Sequence, residues 1–366
     1  MSASSRWDIF CTVVDNYGDI GVCWRLARQL VAEHGLHVRL WVDDLASFAR
    51  LAPGLDPQAA RQSLDGVDIC AWRDPLPETE SAQVVIEAFA CHLPDSYLAR
   101  MAQCAPKPLW INLEYLSAES WVAEHHALPS PHPRLPLTKY FFFPGFDAQA
   151  GGLLREANLF AAHDAFQRDA TAQLAFWSGL HLTPAPDALK VSLFGYPHAA
   201  LPALLEAWAH SHQPVFCVLP ETPLARQVAQ WQAAHPHPAL RVAPIPFLSQ
   251  DRYDRLLWAC DLNFVRGEDS FVRAQWAARP FVWHIYPQHD AAHEAKLDAF
   301  LARYAGGAAL DGLFRAWNGR GDLARAWPAF AQQLPALGQH ARHWAETLGQ
   351  QPDLAAKLLK FSENKL

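Results

Sequence analysis

Apolar positions along the chain fall into two rhythms that take turns. Short, nearly unbroken runs rich in Val, Ile, Phe and Trp read as buried strands. Stretches with an apolar residue every three to four positions read as helices packed on one face. Residues 8–14 give the first strand and 22–33 the first helix. Further strands fall at 38–42, 67–72, 84–89, 109–113 and 140–143, with helices at 95–103 and 118–126 between them. A long helical stretch at 162–180 closes this half, and Thr-Pro-Ala-Pro-Asp at 183–187 comes next as a hinge that cannot continue a helix. The alternation then restarts, with strands at 190–194, 215–219, 240–242, 262–265 and 281–285. Helices at 200–208, 224–234, 251–259 and 271–277 lie between them, and from 291 the pattern is helical to the end. Strands alternating with helices imply βαβ units around a parallel sheet. The expectation is an α/β chain of two Rossmann-like domains facing across a cleft, 1–183 and 188–345, with 346–366 as a C-terminal helix.

Composition narrows the class. Apolar residues make up 51% of the 366 and charged residues 18%, enough to build cores and too apolar for disorder. Thirty Lys and Arg against 37 Asp and Glu give a net charge of −7, which argues against a nucleic-acid or anionic-membrane partner. The charge is uneven: 1–184 carry 13 basic and 21 acidic residues (−8), and 185–366 carry 17 and 16 (+1). The seven cysteines are scattered with no C-x-x-C, as free thiols in a reducing cytoplasm would be. Neither a signal peptide nor a membrane-spanning run is evident, so a cytoplasmic protein is expected.

Candidate chemistry lies where strands end. The first strand runs into Asp15-Asn16-Tyr17-Gly18-Asp19-Ile20-Gly21, and a helix begins at once. In open α/β sheets such a loop lines the ligand crevice. Its glycines do not match G-x-G-x-x-G, so a dinucleotide reading is weak. The loop instead carries two carboxylates four residues apart, the second near a helix N-terminus that favours its ionised form. The plainer alternative is that Asp15 ends a strand and Asp19 caps a helix. A second strand-to-helix passage, Arg266-Gly267-Glu268-Asp269-Ser270, offers Ser270 as an N-cap at a helix start suited to phosphate, and Arg266 to grip a second oxygen. Glu268 and Asp269 then suit sugar hydroxyls; a surface turn is the alternative. Phe194, Tyr196, Tyr253 and Tyr286 stand at element ends near Gln250, a set that could stack and hydrogen-bond a base or could simply be packing. Histidine pairs at 125/126, 235/237 and 289/293 lack a complete ligand set, and no P-loop or G-x-S-x-G occurs.

The Asp15–Gly21 loop together with Arg266-Gly267-Glu268-Asp269-Ser270-Phe271-Val272-Arg273-Ala274-Gln275-Trp276 and Asn112-Leu113-Glu114-Tyr115-Leu116-Ser117-Ala118-Glu119 resembles the EarP family. These are bacterial protein-arginine rhamnosyltransferases that modify translation elongation factor P, and the resemblance covers essentially the whole chain. It implies a GT-B fold whose C-terminal helices pack back on the N-terminal domain, and an inverting, metal-independent transfer from dTDP-β-L-rhamnose without a cofactor. It implies Asp19 as catalytic base, Asp15 as its partner on the acceptor arginine, Glu268 as essential, and Glu114 on the acceptor side. Asn16, Tyr17, Gly18, Phe194, Tyr196, Gln250, Tyr253, Arg266, Asp269, Ser270 and Tyr286 would hold the donor. Two other readings stay open: a GT-B enzyme with a small-molecule acceptor, and a non-catalytic nucleotide-sugar-binding module. A Rossmann oxidoreductase ranks last, without the glycine fingerprint.

Overall fold

The structure is a computed structural model that describes residues 5–14, 17–73, 75–287 and 291–366. The chain divides into two compact units, one of residues 1–157 and 351–366 and one of 158–350.

The first unit opens with β1 (Arg6–Cys11), α1 (Gly18–His34), β2 (His37–Val42), α2 (Leu45–Leu51), β3 (Arg61–Leu64) and β4 (Val67–Ala71). It continues with β5 (Val84–Ala88), α3 (Asp95–Gln103), β6 (Leu109–Leu113), α4 (Trp121–His125), β7 (Pro129–Pro131) and β8 (Thr138–Phe142). Its strands pair in the order β3-β4-β2-β1-β5-β6-β8-β7, parallel except at the β3 and β7 edges. The strands β1, β5 and β6 are buried on both faces, which is why they read as continuous apolar runs. β3 and β7, polar or proline-bearing, are not legible as strands in the sequence.

The second unit opens with α5 (Leu159–Arg168) and α6 (Ala170–Ser178), then β9 (Leu189–Leu193), α7 (Leu201–Ala209), β10 (Val215–Pro220) and α8 (Pro223–Ala234). Next come β11 (Leu240–Ile245), α9 (Gln250–Ala259), β12 (Leu262–Arg266), α10 (Asp269–Trp276) and β13 (Phe281–His284). Four helices close it: α11 (Ala292–Tyr304), α12 (Ala308–Trp317), α13 (Leu323–Gln332) and α14 (Leu334–Gly349). Its five described strands are all parallel, in the order β11-β10-β9-β12-β13. The last helix, α15 (Leu354–Glu363), belongs to the first unit. There the Leu354 N–H bonds the Leu153 carbonyl at 3.0 Å, Lys357 donates to the Ala150 carbonyl at 2.6 Å, and Phe361 meets Tyr140 edge to face.

The helix expected at 162–180 and the expected division between the units both differ in the structure. The helical stretch 162–180 is two helices, because Asp169 ends α5 and turns its carboxylate to the Ala172 N–H to start α6. Both helices go with the second unit: Gln167 donates to the Trp258 carbonyl at 2.8 Å, and Trp177 packs on Phe216. The proline segment 183–187 is likewise tied there, by Arg241 to the Thr183 carbonyl and Gln213 to the Asp187 carbonyl. The division therefore falls between Ala157 and Asn158, earlier than the prolines suggest.

Candidate functional site

Each unit reverses its strand order once, β5 lying beyond β1 in the first and β12 beyond β9 in the second. Ligands in open parallel sheets bind at such switch points, beyond the carboxyl ends of the strands. The sequence-derived loops emerge at both.

In the first unit the chain leaves β1 after Cys11, three residues before the expected end. The Val13 N–H donates to Asp43 Oδ1 at 2.9 Å, just past the end of β2. Asp15 and Asn16 lie outside the described residues. Tyr17 sits at the N-cap of α1 with its ring 5.5 Å from the Arg50 guanidinium, and Gly18 is the first helical residue. Asp19 is only 2% exposed. It lies in the first turn of α1, and its Oδ2 accepts the Val14 N–H at 2.9 Å while Oδ1 accepts the Tyr115 hydroxyl at 3.0 Å. Two hydrogen-bond donors and the helix N-terminus thus face this carboxylate. Beneath it, the hydrogen bond to Cys23 and burial push the Cys11 thiol far up, so Cys11 stays protonated and is no nucleophile.

The next two strands complete this end. Glu114 comes directly after β6; its N–H bonds the Phe142 carbonyl at 2.9 Å and its carboxylate accepts from the Asn112 amide. The adjacent Tyr115 ring stacks on Phe89 just past β5, with centroids 4.4 Å apart and planes 18° from parallel. Sequence reasoning missed Tyr115 and Phe89 as site residues. The available signal is their place at the ends of the strands beyond the switch point.

In the second unit the residues form two groups. Arg266, 8% exposed at the end of β12, holds its guanidinium carbon 4.7 Å from the Phe194 centroid and 4.5 Å from that of Tyr196. Tyr286 meets Tyr196 edge to face at 5.6 Å. His284, which the sequence pattern does not mark, accepts the Tyr196 N–H at Nδ1 (3.2 Å) and packs against its ring. A Cβ at Gly195 would lie 3.3 Å from that nitrogen, so a glycine here lets the chain pass close. Burial, with the charges of His198 and Arg266, holds the His284 pKa down to about 3, and burial holds His198 at about 4. The histidines present neutral rings, leaving Arg266 as the cation of this group.

The second group surrounds the start of α10. Gly267 takes φ +62°, and the chain turns into the helix with Glu268 at the N-cap. Ser270 does not cap, contrary to expectation. Its Oγ lies back over the preceding turn, accepting the Arg266 N–H at 3.1 Å and donating to the Arg266 carbonyl. That bond fixes the Arg266–Ser270 loop. Gln250, at the start of α9, donates to Asp269 Oδ2 at 3.1 Å. The Tyr253 ring meets Phe194 at 5.9 Å, and burial raises the pKa of its phenol. Below, Arg273 grips Asp254 through two bonds of 3.0 and 2.7 Å and locks α10 to α9.

The second-unit set therefore offers stacking faces, one buried cation and a helix N-terminus, the groups a nucleoside diphosphate needs. The first-unit set offers an oriented carboxylate. Among the described residues no group of three or more His, Cys, Asp or Glu could hold a metal, and no helix is long and apolar enough to cross a membrane. A cavity of about 390 Å³ in the first unit lies at the opposite ends of β1 and β2, and its arginines are matched by acids, Arg61 with Asp68 and Arg6 with Glu80.

The chain is similar to known proteins over nearly its whole length. The family model of the elongation factor P (EF-P) rhamnosyltransferase EarP matches residues 7–363. A protein-arginine rhamnosyltransferase of Pseudomonas putida is 52% identical over 99% of this chain and 100% of its own. One from Pseudomonas aeruginosa is 50% identical over 98% of each. A chain solved in work on EarP-mediated arginine glycosylation of translation elongation factor EF-P superposes with TM-score 0.70 at 40% identity, covering 99% of this chain and 100% of that one. The spinosyn rhamnosyltransferase SpnG, at TM-score 0.55 and 12% identity over 97% and 99%, shares the fold. The α/β architecture with two Rossmann-like units is that of the GT-B glycosyltransferases.

Proposed function

The chain belongs to the EarP family of elongation factor P rhamnosyltransferases, and from that membership we propose that it transfers L-rhamnose from dTDP-β-L-rhamnose to one arginine of elongation factor P, inverting the anomeric carbon. The observation that carries this reading is Asp19: a buried carboxylate at a switch point, with both oxygens held.

Arginine is a difficult acceptor. Its guanidinium keeps its proton far above neutral pH, and its lone pairs are delocalised into the cation. A carboxylate beside it does two things: it fixes which nitrogen points at the sugar, and it takes the proton that nitrogen must lose as the C–N bond forms. In this reading Asp19 is that base, and Asp15 and Glu114 orient the guanidinium. The bond from the anomeric carbon to the dTDP oxygen breaks on the opposite face, so a single displacement inverts the centre. The carbon becomes oxocarbenium-like and the diphosphate gains charge. Arg266 and the N–H groups at the start of α10 stabilise that charge without proton transfer. Phe194, Tyr196, Tyr253 and Tyr286 provide faces for the base, and Gln250, Glu268 and Asp269 provide partners for sugar hydroxyls. Ser270 acts through the loop it fixes. An acceptor that serves translation sets the reaction in the cytoplasm.

Purified protein with dTDP-β-L-rhamnose and unmodified elongation factor P should add the mass of one deoxyhexose to a single arginine, located by peptide mass spectrometry. No transfer when both substrates are intact overturns the proposal; transfer to a small molecule in place of the protein redirects it.

A further inference from the structure

We propose that Tyr115 is a positioning residue for the Asp19 carboxylate, holding it in the orientation in which it receives the acceptor's proton. The inference rests on the reading of Asp19 as the base.

Three observations converge on it. The Tyr115 hydroxyl donates to Asp19 Oδ1 at 3.0 Å while the Val14 N–H donates to Oδ2 at 2.9 Å, so donors from separate parts of the chain set the carboxylate plane. A base whose lone pair is turned away from the reacting nitrogen loses rate even when it stays charged. Next, the Tyr115 ring is itself held, stacked on Phe89 at 4.4 Å. Finally, Phe89 is kept where it is at a conformational cost. Phe89, Ala90 and His92 all lie in the left-handed region, at φ 56°, 54° and 56°. Such backbone persists in non-glycine residues only when the surroundings over-determine it. Here the Phe89 N–H bonds the Leu113 carbonyl at 2.7 Å, the Ala90 N–H bonds Asn112 Oδ1 at 3.2 Å, and the His92 N–H bonds Glu87 Oε1 at 3.2 Å. The turn after β5 is thus pinned to β6 and back to β5, and its product is a fixed ring behind the tyrosine that orients the base.

The test is Tyr115→Phe, which keeps the ring and its stack and removes the one hydroxyl. A lost hydrogen bond to a charged group predicts a fall of about ten- to hundredfold in kcat. KM for donor and for acceptor should stay within about twofold, and the melting temperature within a few degrees. Phe89→Leu, which keeps the hydroxyl and removes the ring behind it, should show a smaller loss of the same kcat-only kind. Wild-type kcat in Tyr115→Phe, a loss carried by KM, or a loss that tracks lower thermal stability overturns the proposal. Asp19→Asn is measured alongside. Turnover retained there overturns the assignment of the base, whereas an inactive Asp19→Asn beside a fully active Tyr115→Phe overturns only the positioning role.

Discussion

The two units use the same sheet order around the switch point and put opposite chemistry on it. In the first, the strand ends present acids: Asp19 buried and hydrogen-bonded in the first turn of α1, and Glu114 held by Asn112. In the second, they present rings around a cation, with Arg266 over Phe194 and Tyr196, neutral histidines behind, and the start of α10 alongside. The charge divides along the same line. Residues 1–157 and 351–366 carry 15 basic and 21 acidic side chains (−6), and 158–350 carry 15 and 16 (−1). A common fold supplies the place; the loops after the strands supply the reaction. A guanidinium calls for the first kind of end and a nucleoside diphosphate for the second.

The sharpest way to break this comparison is to remove one charge from each end. Asp19→Asn keeps the shape and deletes the carboxylate proposed as the base, so turnover should fall at least about a thousandfold. Binding of dTDP, read by calorimetry, should stay within about twofold, because the rings and the cation proposed to hold the base and diphosphate, Phe194, Tyr196 and Arg266, lie in the second unit. A large loss of donor affinity would move Asp19 to a binding role. Arg266→Met should do the reverse and weaken dTDP binding about ten- to hundredfold, as expected for a buried charge-assisted contact to phosphate. Arg266→Lys should recover only part of it, since lysine lacks the planar face that lies over Phe194 and Tyr196. Unchanged dTDP affinity in Arg266→Met would take the cation out of the donor site.

Features legible in the sequence are the local ones. Buried strands announce themselves as apolar runs, and the loops after them carry their polar residues consecutively, so Asp19, Arg266 and Asp269 could be picked out as candidates by inspection. Edges and partners could not. β3 and β7 are polar or proline-rich because they sit at the sheet edge, and the join at Ala157–Asn158 has no proline to mark it. The helix break at Asp169 depends on a single side chain that caps α6. Tyr115, Phe89 and His284 matter through residues up to 96 positions away, as in the bond from Tyr115 to Asp19. Ser270 shows the converse: its type suggested a cap, and the geometry folds its hydroxyl back on Arg266.

The neutral histidines of the second unit make a smaller prediction, about acid. An unfolded histidine titrates near 6.5, while burial holds His284 at about 3 in the fold. Its stabilising contribution is therefore complete above pH 6.5 and is lost as pH falls toward 3, because only the unfolded chain takes up the proton. Between pH 7.5 and 5 this one group should account for about 2 kcal/mol of lost stability. Urea unfolding of wild type and His284→Gln at the two pH values measures it. The variant's pH dependence should be flatter by that amount, and equal slopes would show that His284 is protonated in the fold or exposed.

The smallest effect tests the charge division itself. An acidic first unit raises the local concentration of a partner that presents an arginine, and such steering is screened over a Debye length of about 10 Å at 0.1 M salt and about 3 Å at 1 M. Raising salt across that range should therefore increase KM for elongation factor P by a few fold, mostly through slower association. If Arg266 lies as deep in the bound state as it does here, its contact with the diphosphate is shielded by the rings around it, and the donor KM should rise less. The informative quantity is the ratio of the two responses in one titration, because a general salt effect on the enzyme would move both together. A donor response equal to or larger than the acceptor response would mean that the acidic charge of the first unit does not steer the acceptor. The contrast between the units would then rest on Asp19 and Arg266 at their switch points, with no contribution from the wider field.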